Sequence, residues 1–214
     1  MIKSRGFKYE SHFVQTQDGY ILQLVRVINP FVTGTKKRRL KPILLQHGFQ
    51  CTGTLWLIAA NGTLDRYGNY IEYIVDSENR PITINGTKEV ANTLGYVLAT
   101  RGYDVWLANY RGSVYSSNHT TLNMTDEEFW KFSMDEMIHF DLPAEIDYIL
   151  KHTKRTKLSY IGHSQGNLMM LALMSISDRY ARKINPFIAL SPVFYNLNMS
   201  SAIRAITPIK TILR

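Results

Sequence analysis

The sequence predicts an α/β protein: an open, mostly parallel sheet with helices on both faces and an antiparallel hairpin at its start. Three observations carry that prediction. Short continuous apolar runs, Pro42–Gln46 and Asp104–Ala108, read as strands buried on both faces, and Phe187–Leu190 reads as a further strand. Segments of helical periodicity stand between them, as parallel crossover connections require. Asp18-Gly19 joins two β-rich runs, His12–Gln17 and Tyr20–Ile28, and Asp-Gly in that setting is a strong hairpin signal.

Taken in order, the hairpin gives an antiparallel edge to the sheet. Pro42–Gln46 follows as a buried strand and ends in His47-Gly48-Phe49. Asn61–Thr87 is polar and rich in Gly, Asn and Asp and reads as an excursion from the core. Glu89–Arg101 repeats apolar residues at helical spacing through Val90, Leu94, Val97 and Leu98, and Gly102 stops it. Asp104–Ala108 is the next buried strand, and Asn109–Met124 reads as loop. Thr125 with Glu128, then Ser133 with Glu136, have capping-box spacing. They open helical segments whose Phe129, Trp130, Met134 and Met137 suit core packing. Asp141–His152 is a further helix with Pro143 in its first turn and an apolar stripe of Ile146, Ile149 and Leu150.

An apolar strand then runs from Leu158 into Gly162-His163-Ser164-Gln165-Gly166, and a helical pattern, Asn167–Ser175, leaves it. A G-x-S-x-G pentapeptide between strand and helix is the setting of a nucleophile elbow. The sharp turn lifts the serine hydroxyl clear of the sheet. Gly162 and Gly166 stand where strand and helix pass too closely for a side chain. The Gln165 amide lies at a helix N-terminus, which favours a developing oxyanion. The backbone N–H of Phe49, in the turn after the first buried strand, is where a second oxyanion donor would come from. A chance glycine-serine loop is the bland alternative, and the flanking strand and helix argue against it.

Composition narrows the class. The chain has 214 residues, 45% hydrophobic and 20% charged, enough for one globular domain with a real core. Net charge is +8, but the cations are dispersed apart from Lys36-Lys37-Arg38-Arg39, which falls between strand patterns as a solvated loop. Nucleic acid is not an expected partner, no run is long enough to span a membrane, and the sequence assigns no oligomeric state. The single cysteine, Cys51, reads as a small buried hydrophobe. No metal-ligand spacing occurs, so neither metal nor cofactor is expected. The N-terminus, Met1-Ile2-Lys3-Ser4-Arg5, is not followed by an apolar signal-peptide core. Yet five N-x-[ST] acceptors occur, at Asn61, Asn85, Asn118, Asn123 and Asn198, where composition predicts about two by chance. The excess favours a secretory-pathway protein.

With these residues in place, the chain resembles the acid lipases of the gastric and lysosomal type, within the α/β-hydrolase fold. The matching stretches are Ser11–Leu24, Leu44–Gly48, Gly102–Leu107, Arg111-Gly112 with Tyr115-Ser116, Phe129-Trp130, Asp135–Met137, Asp141–Ala144 with Ile146–Leu150, and Gly162–Gly166. They fall in order over nearly the whole chain. The resemblance implies that Ser164 is the acyl-accepting nucleophile, that Phe49 and Gln165 donate oxyanion N–H groups, and that the substrate is a triacylglycerol or cholesteryl ester at a lipid–water interface. It implies a secreted or lysosomal location.

Two departures stand out. The excursion at 61–87 is longer than the family's usual connection, so against the family it reads as an insertion. The family's triad runs Ser, Asp, His, with the last two well downstream. Here all six histidines precede or adjoin Ser164 on its N-terminal side, and Asp178 is the one acidic residue after it. The sequence therefore reads as the N-terminal half of a lipase, residues 1–214 of a partial domain without triad Asp and His, cap region or C-terminal strands. The alternative reading is a non-catalytic α/β-hydrolase-like binding protein.

Overall fold

A computed structural model describes residues 1–35, 40–58, 61–78, 80–82 and 93–193. Its main sheet contains β1 (Lys8–Gln15), β2 (Tyr20–Ile28), β3 (Lys41–Gln46), β7 (Tyr103–Leu107), β8 (Asn118–His119), β9 (Leu158–His163) and β10 (Ile184–Leu190). The order across it is β1-β2-β7-β3-β9-β10, with β8 beside β2. β7, β3, β9 and β10 are parallel, and β1 and β2 form the antiparallel edge. The hairpin register, Gln15↔Ile21 to Lys8↔Ile28, continues four residues ahead of the run read from sequence. Those leading positions are largely exposed, so hydrophobic patterning did not mark them.

The two faces of the sheet carry separate cores. On one, α1 (Leu94–Thr100) and a 3₁₀ turn, Gly53–Leu57, cover Val27, Ile43, Leu45, Val105 and Leu107. The most buried residues of α1 are Gly95, Tyr96 and Ala99, with Leu94 and Leu98 flanking. The expected apolar stripe was therefore rotated by about one position, because Tyr96 stacks on Phe7 at 4.8 Å. Residues 89–92 lie outside the described part. Gly102 takes φ 91° at the helix end, as a stop glycine should.

The other face is covered by α3 (Leu142–Thr153) and α4 (Gln165–Ile176). Pro143 lies in the first turn of α3, and Ile146, Ile149 and Leu150 are buried as expected. α3 is preceded by the short α2 (Met134–Glu136) and a π-helical turn, Met137–Asp141. Ser133 and Glu136 close a reciprocal capping box. Thr125 and Glu128 do not: Asp126 caps a 3₁₀ turn, Glu127–Trp130, without a side-chain bond. Phe129 and Met137 are buried, but Trp130 is half exposed. A last short helix, α5 (Asp178–Ala181), leads to β10.

The 61–87 excursion contains strands that the sequence reading missed, among them the β-rich run Tyr70–Val75. β4 (Asn61–Leu64), β5 (Tyr70–Val75) and β6 (Pro81–Ile82) form a separate antiparallel meander. Tyr70 pins it to the core against Phe7 and Tyr96, and Arg5 donates to Asn61 Oδ1 at 2.9 Å. Residues 83–87 are outside the described part, as is the basic run 36–39. Among the described residues, no helix is long and apolar enough to cross a membrane.

Candidate active site

β3 and β9 are neighbours in the parallel part of the sheet, and their C-terminal connections leave to opposite faces. After β3 the chain turns to the 3₁₀ segment on one face; after β9 it enters α4 on the other. Such a divergence opens a crevice at the carboxyl ends of the two strands. Ser164 sits in it, at the junction of β9 and α4, with φ 50° and ψ −113°. That backbone is strained for a residue with a β-carbon, on the order of 1–3 kcal/mol, and persists only where neighbours dictate it.

The neighbours are specific. Ser164 N–H donates to Leu190 O at 3.1 Å, and Asn167 Nδ2 donates to the same oxygen at 2.7 Å. Asn167 N–H closes the turn on Ser164 O at 3.0 Å. Tyr160, buried on β9, donates its hydroxyl to Gly166 O at 2.7 Å. A β-carbon on Gly166 would come within 2.7 Å of Gln46 O and 2.9 Å of His47 O; one on Gly162 would come within 2.9 Å of Asn167 N. Both glycines are thus required by close approach of backbone to backbone, as the pentapeptide implied.

The turn after β3 meets this junction directly. A β-carbon on Gly48 would stand 3.0 Å from Ser164 Cβ and 3.0 Å from His163 Nδ1. Cys51 N–H closes the turn on Gly48 O, and Gln50 takes φ 56°. Gly48 O also accepts the Tyr110 hydroxyl at 2.7 Å and the Nδ1–H of His47 at 2.9 Å. A planar trans peptide whose carbonyl points inward to Tyr110 must point its N–H the other way, and that N–H belongs to Phe49. The Phe49 ring is 62% exposed at the rim. Gln165 is the first residue of α4, so its N–H has no intrahelical acceptor.

His47 and Tyr110 are contributions that patterning could not reveal. They lie 63 residues apart in the chain, and their rings meet at 4.1 Å. His47 is fully buried, and burial lowers its pKa to about 4. It is therefore a neutral imidazole whose one N–H is committed to Gly48. Cys51 is only half buried, in the turn, not a core residue. Ser164 Oγ makes no hydrogen bond among the described residues, so neither His47 nor His163 is hydrogen-bonded to it. Asp178 opens α5 and pairs with Arg182 at 3.7 Å.

Beneath the site lies a buried charge cluster. Arg111 donates its backbone N–H and guanidinium to Asp141 at 2.7–2.9 Å and also pairs with Asp18. Its guanidinium stacks 4.0 Å over Tyr20. Burial raises Asp141 to about 6 despite Arg111. Glu145, one turn on, is fully buried with no hydrogen-bond partner for either oxygen, and burial raises its pKa well above normal. One cluster of metal-ligating type exists among the described residues, Glu10, His12 and His152. Arg26 Nη1 stands 3.0 Å from Glu10 and 3.4 Å from His152, where a metal's charge would be repelled.

Of the five glycosylation acceptors, Asn61, Asn118 and Asn123 are exposed; Asn85 and Asn198 lie outside the described residues.

Comparison with known proteins agrees with this geometry. Residues 1–60 match a family model described as a partial alpha/beta-hydrolase lipase region, and residues 84–207 one described as alpha/beta hydrolase fold. Gastric triacylglycerol lipase of Bos taurus is 37% identical over 193 residues, 90% of this chain and 41% of the relative. Lysosomal acid lipase/cholesteryl ester hydrolase of Homo sapiens is 34% identical over 188 residues, 88% of this chain and 40% of the relative. The chain thus spans about two fifths of the length of these relatives. Among solved structures, an esterase of Pyrococcus furiosus superposes with TM-score 0.53 at 17% identity, covering 90% of this chain and 55% of that one. Potato epoxide hydrolase I does so with TM-score 0.54 at 19% identity, covering 94% and 46%. These two likenesses bear on the fold alone. The chain belongs to the alpha/beta hydrolase fold family, and within that family it is similar to the acid lipases of the gastric and lysosomal type.

Proposed function

We propose that this chain carries the nucleophile and oxyanion donors of a lipid ester hydrolase acting on triacylglycerols or cholesteryl esters at a lipid–water interface. The observation that carries the reading is Ser164 at φ 50° between β9 and α4, abutted by the Gly48–Phe49 turn. In this mechanism Ser164 Oγ attacks the ester carbonyl carbon and its proton passes to a base. The carbonyl oxygen takes the negative charge and is met by the N–H groups of Phe49 and Gln165. Collapse expels the alcohol, which leaves with that proton, and water then releases the fatty acid from the acyl-serine. A hydroxyl needs a base to act as nucleophile, and among the described residues no imidazole is hydrogen-bonded to Ser164. The reading therefore requires an imidazole and its carboxylate that the described residues do not bring to Ser164. The same missing hydrogen bond favours the second reading, a non-catalytic binding protein of this fold.

Imidazole added to the solvent separates the two. Residues 1–214 are treated with a fluorophosphonate probe, with and without imidazole, and the adduct is mapped by peptide mass spectrometry. Imidazole-dependent modification of the Ser164 peptide is expected. Modification on another residue, or none at any imidazole concentration, overturns the hydrolase reading.

The same similarity, with the excess of acceptors, supports a secreted or lysosomal location. At least two of the five acceptor asparagines are expected to carry glycans in protein from native tissue. Mass spectrometry before and after N-glycosidase checks this, and five unmodified asparagines would remove the assignment.

A further inference from the structure

A cavity of about 290 Å³ lies on the α1 face of the sheet's antiparallel edge, apart from Ser164 and the Gly48–Phe49 turn. Strand alternation builds it. Tyr9 and Ser11 of β1 and Gln23 and Val25 of β2 project to one face, with Ser11 paired to Val25 in register. Leu57 and Leu107 close the inner end and Ile2 the outer, so the floor is apolar and continuous with the core on that face.

The rim is polar and uncommitted. The side chains of Tyr9, Ser11, Gln23 and Tyr115 make no hydrogen bond to another described residue. The walls are nonetheless fixed. Buried Asn109 accepts the Gly53 N–H at 2.9 Å and donates to Gln23 O at 3.2 Å. Ser116 Oγ bridges Gln23 N–H at 2.9 Å and Asn109 O at 2.6 Å. Three segments distant in sequence are thus tied around the cavity before any ligand arrives, which lowers the ordering cost of binding. The lining side chains are uncharged, while Met1 is among the lining residues and Lys3 Nζ stands 5.6 Å from the Tyr9 ring centroid at the rim. The uncommitted hydroxyl and amide groups of the rim suit a hydroxyl-bearing head, which a simple carboxylate lacks. The volume is at the small end for ligand pockets, which run on the order of 300–1,000 Å³.

We propose that this cavity is a second binding site, for a neutral amphipathic molecule with a hydroxyl-bearing head and a short apolar chain, of the class of a glycerol monoester. The hydroxyls meet Tyr9, Ser11, Gln23 and Tyr115, and the chain lies on Val25, Leu57 and Leu107. The amphipathic, hydroxyl-bearing character follows from the cavity; the choice of a neutral glycerol monoester rests on the lipid-ester reading above.

The test is isothermal titration of residues 1–214 carrying Ser164→Ala, so that no turnover intervenes. The titrants are monooctanoylglycerol, below the concentration at which it forms micelles, and octanoate. Saturable binding of the monoester is expected, with octanoate at least tenfold weaker. Ser11→Trp, which fills the cavity, is expected to weaken the monoester at least tenfold with an unchanged melting temperature. Gln23→Leu is expected to weaken it severalfold, and this holds the test open if the tryptophan variant does not fold. Octanoate binding as tightly as the monoester, or monoester binding unaffected in a folded variant, overturns the proposal. Fluorophosphonate modification of Ser164 reads the lipid-ester proposal separately, because no residue lining this cavity takes part in it.

Discussion

Ser164 holds an unfavourable backbone because several neighbours dictate it at once. Leu190 O, Tyr160 and the backbone of β3 each constrain the first turn of α4. Gly166 tests this directly. Alanine in a helix is ordinarily better than glycine by up to about 1 kcal/mol. Here its methyl would meet Gln46 O and His47 O, backbone atoms that cannot swing aside, and overpacking costs about 1–3 kcal/mol. Gly166→Ala is therefore expected to lower the melting temperature by several degrees; a rise would show that the approach of α4 to β3 is looser than described. At this scale Ser164, Gly162 and Gly166 were legible because the pentapeptide is local. His47 and Tyr110 were not, because what joins them is a shared acceptor, Gly48 O, brought together by pairing of distant strands.

Among the elements, α3 carries an unusual burden. Its apolar stripe was readable, but Glu145 lies on the buried side with no hydrogen-bond partner for either oxygen among the described residues. Arg111 is already bound to Asp141 and Asp18; burial and then the charge of Asp141 raise the Glu145 pKa, and Glu145 in turn helps to raise that of Tyr160. Burial keeps Glu145 protonated in the folded chain, whereas in the unfolded chain it ionises above about pH 4.5. The unfolded state then binds fewer protons, so this residue lowers stability progressively as pH rises from that value. Asp141, raised to about 6, acts in the same direction. Glu145→Gln is expected to melt higher than wild type at pH 8 by about 2–4 °C per kcal/mol recovered, with little difference at pH 4. Parallel melting curves across this range would mean that Glu145 is ionised in the fold. Capping signals had mixed value: Ser133–Glu136 formed its box and Thr125–Glu128 did not. Strands β4 to β6 were missed: β4 is Asn-Gly-Thr-Leu and β6 only two residues, but Tyr70–Val75 of β5 is rich in β-branched and aromatic residues, a strand signal masked by reading the whole segment as one polar excursion.

At the scale of the whole molecule, the fold class was legible in the alternation of buried strands with helices. The strand order was not, since nothing local says that β3 lies between β7 and β9. That order creates the crevice, and the crevice gives the pentapeptide its meaning. The central proposal is that Ser164 is a serine nucleophile served by the oxyanion N–H groups of Phe49 and Gln165, with no imidazole hydrogen-bonded to it among the described residues. Turnover of a short-chain ester by wild type and by Ser164→Ala, measured against imidazole concentration, tests it most directly. The account predicts equal rates without imidazole, and a wild-type rate that rises above the variant's as imidazole is added. Turnover well above the Ser164→Ala level without imidazole would contradict it by revealing a base within the chain, and no divergence at any imidazole concentration would contradict it by denying the nucleophile.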